Sequence, residues 1–183
     1  MKLQYLVIIL LTLSLITENP LYAEARCFVN FPCYMPIHPE ILDSFGHQIN
    51  GSVSAGQQIQ VVGYLTNDHD TNETFVYLLQ IQDANGVTLS LSWIAGNLDP
   101  YKSLTPAQSW IPSANGTYSV YVFLWNSLSD PTPLQPLEFK TIYVCDTGLV
   151  AVIKNHENTS ICIKTDVAKK LVEQGLADYY YYI

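Results

Sequence analysis

The chain has 183 residues, 49% of them apolar and 13% charged, with a net charge of −8 and thirteen tyrosines, six phenylalanines and three tryptophans. That apolar share excludes an intrinsically disordered chain, and the length allows one full domain plus a small second piece. The acidity excludes nucleic acid and anionic lipid as partners, since both need clustered Lys and Arg.

Residues 1–25 carry Lys2, an apolar run from Leu3 to Ile16, a break at 17–20, and small residues at Ala23 and Ala25. These are the three parts of an export signal, cut after Ala23 or Ala25, and the run is shorter than the roughly 20 residues of a membrane span. A retained N-terminal anchor is the alternative. After cleavage no second apolar run would hold the chain in a membrane. Residues 26–39 hold three prolines and the pair Cys27 and Cys33, and read as a tether or a disulfide-closed loop.

Residues 40–144 read as a succession of short strands. A turn at Asp43-Ser44-Phe45-Gly46 leads to a strand over 57–66 with Ile59, Val61 and Leu65 inward. A polar loop over 67–73 precedes a strand over 75–82. The turn Asp83-Ala84-Asn85-Gly86 then predicts a hairpin into 87–94, where Val87, Leu89, Leu91 and Trp93 alternate with Thr88, Ser90 and Ser92. The stretch from Trp110 to Trp125 dominates the chain. Past Gly116 it places Tyr118, Val120, Val122 and Leu124 on one face and Ser119, Tyr121, Phe123 and Trp125 on the other. A Pro-rich loop over 130–136 and a closing strand over 137–144 follow. About seven strands separated by turns predict a mainly β, antiparallel two-sheet sandwich.

Residues 145–183 read as a small α+β unit. Strands over 149–154 and 161–164 form a hairpin, Thr165 or Asp166 caps a helix with the stripe Val167, Ala168, Leu171 and Val172, and Gly175 ends it. The closing tyrosines, 179–182, fray or add a strand to another sheet. So small a unit needs its disulfide or a docked face. Four cysteines behind an export signal predict two disulfides. Three pairings exist; Cys27–Cys33 and Cys145–Cys162 each close a local loop. Cysteine spacing that lacks a close Cys-x-x-Cys pair argues against a metal site.

Several stretches resemble an immunoglobulin-like module of exported archaeal proteins, similar also to the bacterial adhesion-type CARDB group. They are Asp43 to Gly46, Ser54 to Ile59, Leu65-Thr66-Asn67, Phe75 to Leu78 with Gln82-Asp83, Leu91 to Ile94, Trp110-Ile111-Pro112 and Gly116-Thr117-Tyr118. The tail is similar to a small C-terminal unit of the same archaeal proteins, in which a cysteine precedes Gly148 to Lys154 and Cys162-Ile163-Lys164 leads into the helix. Leu176 stands where that family usually has Trp. The resemblance covers roughly residues 40 to 175. It implies an immunoglobulin-like sandwich, export and a surface location, with no catalytic residue to carry over. In such sandwiches a Gly-x-Tyr entry places a tyrosine hydroxyl against the backbone just upstream.

The candidate sites follow from the same residues. Asn50, Asn72, Asn115 and Asn158 begin Asn-x-Ser/Thr triplets, candidate glycan sites in an exported chain. Asp68, Asp70 and Glu73 in the polar loop are oxygen donors that suit weak calcium binding, although the spacing is not that of an EF-hand; an ordinary solvated turn is the competing reading. Met35, His38 and Cys33 are a copper candidate set against a plain structural loop, and the remaining histidines, His47, His69 and His156, are scattered. No nucleophile elbow, zinc-protease motif or paired carboxylates are present, so no enzyme, resident cofactor or catalytic residue is expected. If Tyr118, Val120 and Val122 face the core, then Tyr121, Phe123 and Trp125, with Val76 and Leu78, face away. They form either a partner surface or a face covered by the C-terminal unit. The expectation is a secreted or cell-surface, glycosylated, non-catalytic recognition or adhesion module for a protein or glycan. A structural subunit of an envelope or filament, self-associating by sheet edge or tail, is the alternative, and an extracellular metal-binding protein the weaker one.

Overall fold

A computed structural model describes residues 38–157 and 159–180. The signal, the pair Cys27 and Cys33, Met35, Asn158 and the last three residues lie outside the described residues. The chain runs through β1 (Glu40–Asp43), β2 (Val53–Ser54), β3 (Ile59–Val62), β4 (Leu65–Thr66), β5 (Glu73–Gln82), β6 (Thr88–Leu98) and β7 (Ser103–Leu104). It continues through β8 (Ala107–Trp110), β9 (Gly116–Trp125), β10 (Glu138–Cys145), β11 (Leu149–Lys154), β12 (Thr159–Lys164), α1 (Thr165–Glu173) and β13 (Ala177–Tyr179).

Two sheets make the sandwich. One has three strands in the order β1-β3-β8 and the other five in the order β2-β10-β9-β5-β6. All pairings within them are antiparallel except the short parallel pairing of β2 with β10. Between them lie the inward rows of the long strands. Tyr118, Val120, Val122 and Leu124 are buried as the period-two reading requires, against Phe75, Tyr77, Leu79 and Ile81 of β5 and Ile59 and Val61 of β3. The Tyr118 hydroxyl donates to the Ala114 carbonyl at 2.8 Å, and its ring meets Trp110 edge-on at 5.0 Å. A buried phenol thus finds its polar partner without leaving the apolar layer.

The β5–β6 hairpin turns at Asp83-Ala84-Asn85-Gly86 as expected. The Asp83 carboxylate accepts from the Asn85 and Val87 backbone N–H groups, both at 2.9 Å, while Gly86 takes φ +78°, a value open to glycine at no steric cost. Asp43 builds the same turn, accepting from Phe45 and His47. In both, the donated N–H groups hold the carboxyl below its ordinary range, the largest cause being the bond from the fourth residue on.

Four expectations need correction. The strand over 57–66 is broken at Gly63-Tyr64: Gly63 N–H bonds the Pro106 carbonyl, and β4 leaves to pair with β7. β6 runs on to Leu98, four residues past the expected end at 94. Lys164, not Thr165 or Asp166, occupies the helix N-cap, with no side-chain bond, because β12 feeds straight into the helix. Val167 is exposed and lies outside the small core of Val152, Ala168 and Ala177, which Leu171 flanks.

Gly175 ends the helix as predicted. At φ +68° it donates to the Val172 carbonyl while Leu176 donates to that of Leu171, so the last helical carbonyls are satisfied. Tyr179 does not fray; β13 pairs with β11, which also pairs with β12. Cys145 and Cys162 are disulfide-bonded, Cα atoms 5.6 Å apart, tying the end of β10 to β12. The Ala151 N–H also donates to Ser52 Oγ at 3.0 Å.

Candidate interaction face

The outward side of the five-stranded sheet is the most unusual surface of the described chain. Its rows follow from register. Leu78 lies between Trp93 of β6 and Phe123 of β9, Val76 between Ala95 and Trp125, and Gln80 between Leu91 and Tyr121. Tyr121 in turn faces Phe139 of β10. The rings touch: Tyr121 and Phe139 at 6.2 Å between centroids, Phe123 and Trp125 at 5.6 Å. Offset and tilted contacts of this kind suit aromatic quadrupoles. No Asp, Glu, Lys or Arg interrupts these rows.

Val76 and Leu78 do point outward, but they are not available to a partner: both are buried in the central strand, Leu78 between the larger Trp93 and Phe123 and Val76 beside Trp125. The accessible part is carried by the flanking strands. Trp93 is 52% exposed and Phe139 65%, with Leu91 half exposed, whereas Tyr121, Phe123 and Trp125 are half-buried. Trp93, Leu91 and Phe139 were not singled out from sequence as part of this surface. The alternation of β6 showed one apolar and one polar row; the register shows that the polar row, with Ser92 opposite Leu79, is the one facing inward.

At the far end of β9 the 126–136 loop folds back. Leu134 N–H donates to the Leu124 carbonyl and Trp125 bridges to Pro133. Phe123, Trp125, Pro131, Pro133 and Leu137 line a groove of about 420 Å³. Gln135, also lining it, is buried, and its side-chain amide has no hydrogen-bond partner among the described residues. At the opposite end Tyr180 packs on Tyr143 at 4.4 Å and donates its hydroxyl to the Thr141 carbonyl; burial, then the neighbouring Tyr143, raises its pKa. The C-terminal unit therefore docks at the Tyr143 end and leaves Leu91, Trp93 and Phe139 exposed; it does not cover the face.

The other candidate residues lie elsewhere. Asp68 and Asp70 are exposed, while the Glu73 carboxylate lies 3.0 Å from His69 Nδ1 and accepts from Thr71 Oγ1. Asn67 holds this loop, its amide donating to the carbonyls of Thr71, Leu98 and Asp99. Among the described residues no three His, Cys, Asp or Glu side chains converge as metal ligands. His38 Nδ1 is 3.6 Å from Glu138, and His47 pairs with Asp43. Asn50, Asn72 and Asn115 are exposed, and the Asn115 amide donates to Asp146 at 2.9 Å. Among the described residues no helix is long and apolar enough to cross a membrane.

No protein-family model and no curated protein sequence matches the chain. Among solved structures, the C-terminal domain of Wzt is similar with a TM-score of 0.50 and 13% identity, over 69% of this chain and 77% of that one. The fold is an immunoglobulin-like sandwich. A CARDB domain from Pyrococcus furiosus, solved with di-metal ions, aligns with a TM-score of 0.42 and 13% identity, over 65% of this chain and 95% of that one. A β-glucuronidase from Bacteroides uniformis aligns with a TM-score of 0.42 and 15% identity, over 56% of this chain and only 12% of its own. At these identities the likeness concerns the fold.

Proposed function

We propose that this protein is a non-catalytic recognition module that works outside the cytoplasm and engages a cell-surface protein or glycan through the β9–β10 half of the outer aromatic face. One observation carries the reading: Phe139, Tyr121, Phe123 and Trp125 form an uncharged face, flanked by the groove at Pro131 and Pro133, that the C-terminal unit leaves open. Rigid aromatic side chains supply contact area at low entropic cost and are enriched at interfaces. The Cys145–Cys162 disulfide supports an oxidising compartment, and the export signal read in residues 1–25 supports the same route. The net charge of −8 steers the module away from nucleic acid and anionic lipid.

Cross-linking on intact cells, followed by mass spectrometry of the cross-linked peptides, tests the reading. Links from a photoreactive phenylalanine analogue at position 139, an exposed site on that face, to one envelope component are expected. Links from Lys154, Lys169 and Lys170 of the C-terminal unit, with none from position 139, would move the binding surface and overturn it.

A further inference from the structure

We infer that two copies of this chain join edge to edge through β6, continuing the five-stranded sheet across a two-fold axis. β6 is the last strand of that sheet and has one strand neighbour, β5. Its other edge presents backbone donors and acceptors to solvent along a strand of 11 residues. The remaining edges of the sandwich are blunted: β1 has four residues and carries Glu40 and Asp43, β8 has four, and β2 has two. Short strands and inserted charges are the usual protection against edge pairing. β6 has no charged residue and no proline, and its single irregularity of register, at Ile81/Gln82, falls at the hairpin end. From outside β5, its backbone accepts from the Gln108 amide at Ser92, a long 3.4 Å, and from the Asn67 amide at Leu98.

The strand's own two-fold register selects a second copy as the occupant, and its lack of charge permits the contact. Two chains of net charge −8 repel, so they associate best where contact brings no like charges together. β6 is such a strand, bounded by Asp83 in the turn before it and Asp99 after it. Its midpoint is Trp93. An antiparallel pairing centred there sets Trp93 against Trp93 of the partner subunit and Leu91 against the partner's Ala95, so each large side chain beside the axis meets a small one. The half-exposed row of Leu91 and Trp93 then packs across the axis. A two-fold pairing closes on itself and yields a dimer, with no further open edge of this length among the described residues to extend it.

Sedimentation of the full chain, as processed by the expressing cell, tests this. A dimer is expected, with Trp93→Lys weakening it roughly tenfold or more by setting two ammonium groups opposite each other. Phe139→Lys, at a more exposed position distant from the edge, leaves the dimer intact. Trp93→Cys yields a disulfide-linked dimer on mild oxidation. If Trp93→Lys does not fold, Ala95→Lys, also at an exposed position, takes its place. A monomer at all accessible concentrations overturns the inference, as does a dimer that survives the edge lysine or one dissolved by Phe139→Lys instead. A monomer that still cross-links through position 139 removes the dimer and leaves the recognition reading standing. A dimer with no surface partner does the reverse.

Discussion

The two outward faces of the sandwich differ in kind. On the three-stranded sheet, Gln60 stands opposite Ser109, and the neighbouring Gln58 amide donates to Ser109 Oγ at 3.2 Å. On the five-stranded sheet the equivalent positions are Leu91, Trp93, Phe123, Trp125 and Phe139. An antiparallel sheet usually shows the solvent one polar face. The first sheet does so at Gln58, Gln60 and Ser109. The second carries an apolar outward row in addition to its core row, and that outward row stays open to solvent at Leu91, Trp93 and Phe139.

That difference predicts unequal costs of truncation. Ile81→Ala, on the fully buried inner row of β5, should cost about 2–5 kcal/mol in urea unfolding, whereas Phe139→Ala on the outer face should stay within about 0.5 kcal/mol. Equal losses would mean the outer face belongs to the folding core. Removing the disulfide with Cys145→Ser and Cys162→Ser should cost about 3 kcal/mol, since it closes a loop with a sequence separation of 17. The same pair should loosen Tyr180 from Tyr143 and extend the open face toward that end, read as added dye binding. Tyr118→Phe should cost about 1 kcal/mol by leaving the Ala114 carbonyl without its donor, and should not alter dye binding.

The smallest effect concerns acid. Asp43 and Asp83 have folded-state pKa values below those of the unfolded chain, so their stabilisation is fully present above the ordinary carboxylate range and is lost as pH falls through the lowered values. Asp83→Ala should flatten the loss of melting temperature below about pH 4 while leaving the outer face unchanged.

The parts of this molecule legible in sequence are those where one local cause dominates. The row from Tyr118 to Leu124 is buried on one side only, so period two shows directly. Asp83 to Gly86 builds its turn from its own side chains, and Cys145 meets Cys162 across a short loop. What stayed hidden depends on neighbours. Alternation in β6 reveals two unlike rows but not which one meets the smaller opposing sheet, where Gln108 reaches the Ser92 carbonyl. Likewise Phe139 alternates with Glu138 and Lys140, and it is the charged pair that shares the Val120 and Val122 side. Burial and the opposing pull of Glu40 set the Lys140 amine, burial prevailing and lowering its pKa. The face itself was readable from Tyr121, Phe123 and Trp125; its accessible margin at Trp93 and Phe139 required the register.

The most direct test compares the two outward faces on living cells. A photoreactive phenylalanine analogue at position 139 is set against one at position 58 on the opposite sheet, both at exposed sites. Adducts to one envelope component from position 139, with none from position 58, are the expected result. Adducts from position 58 alone, or equally from both, would contradict a recognition role for the aromatic face.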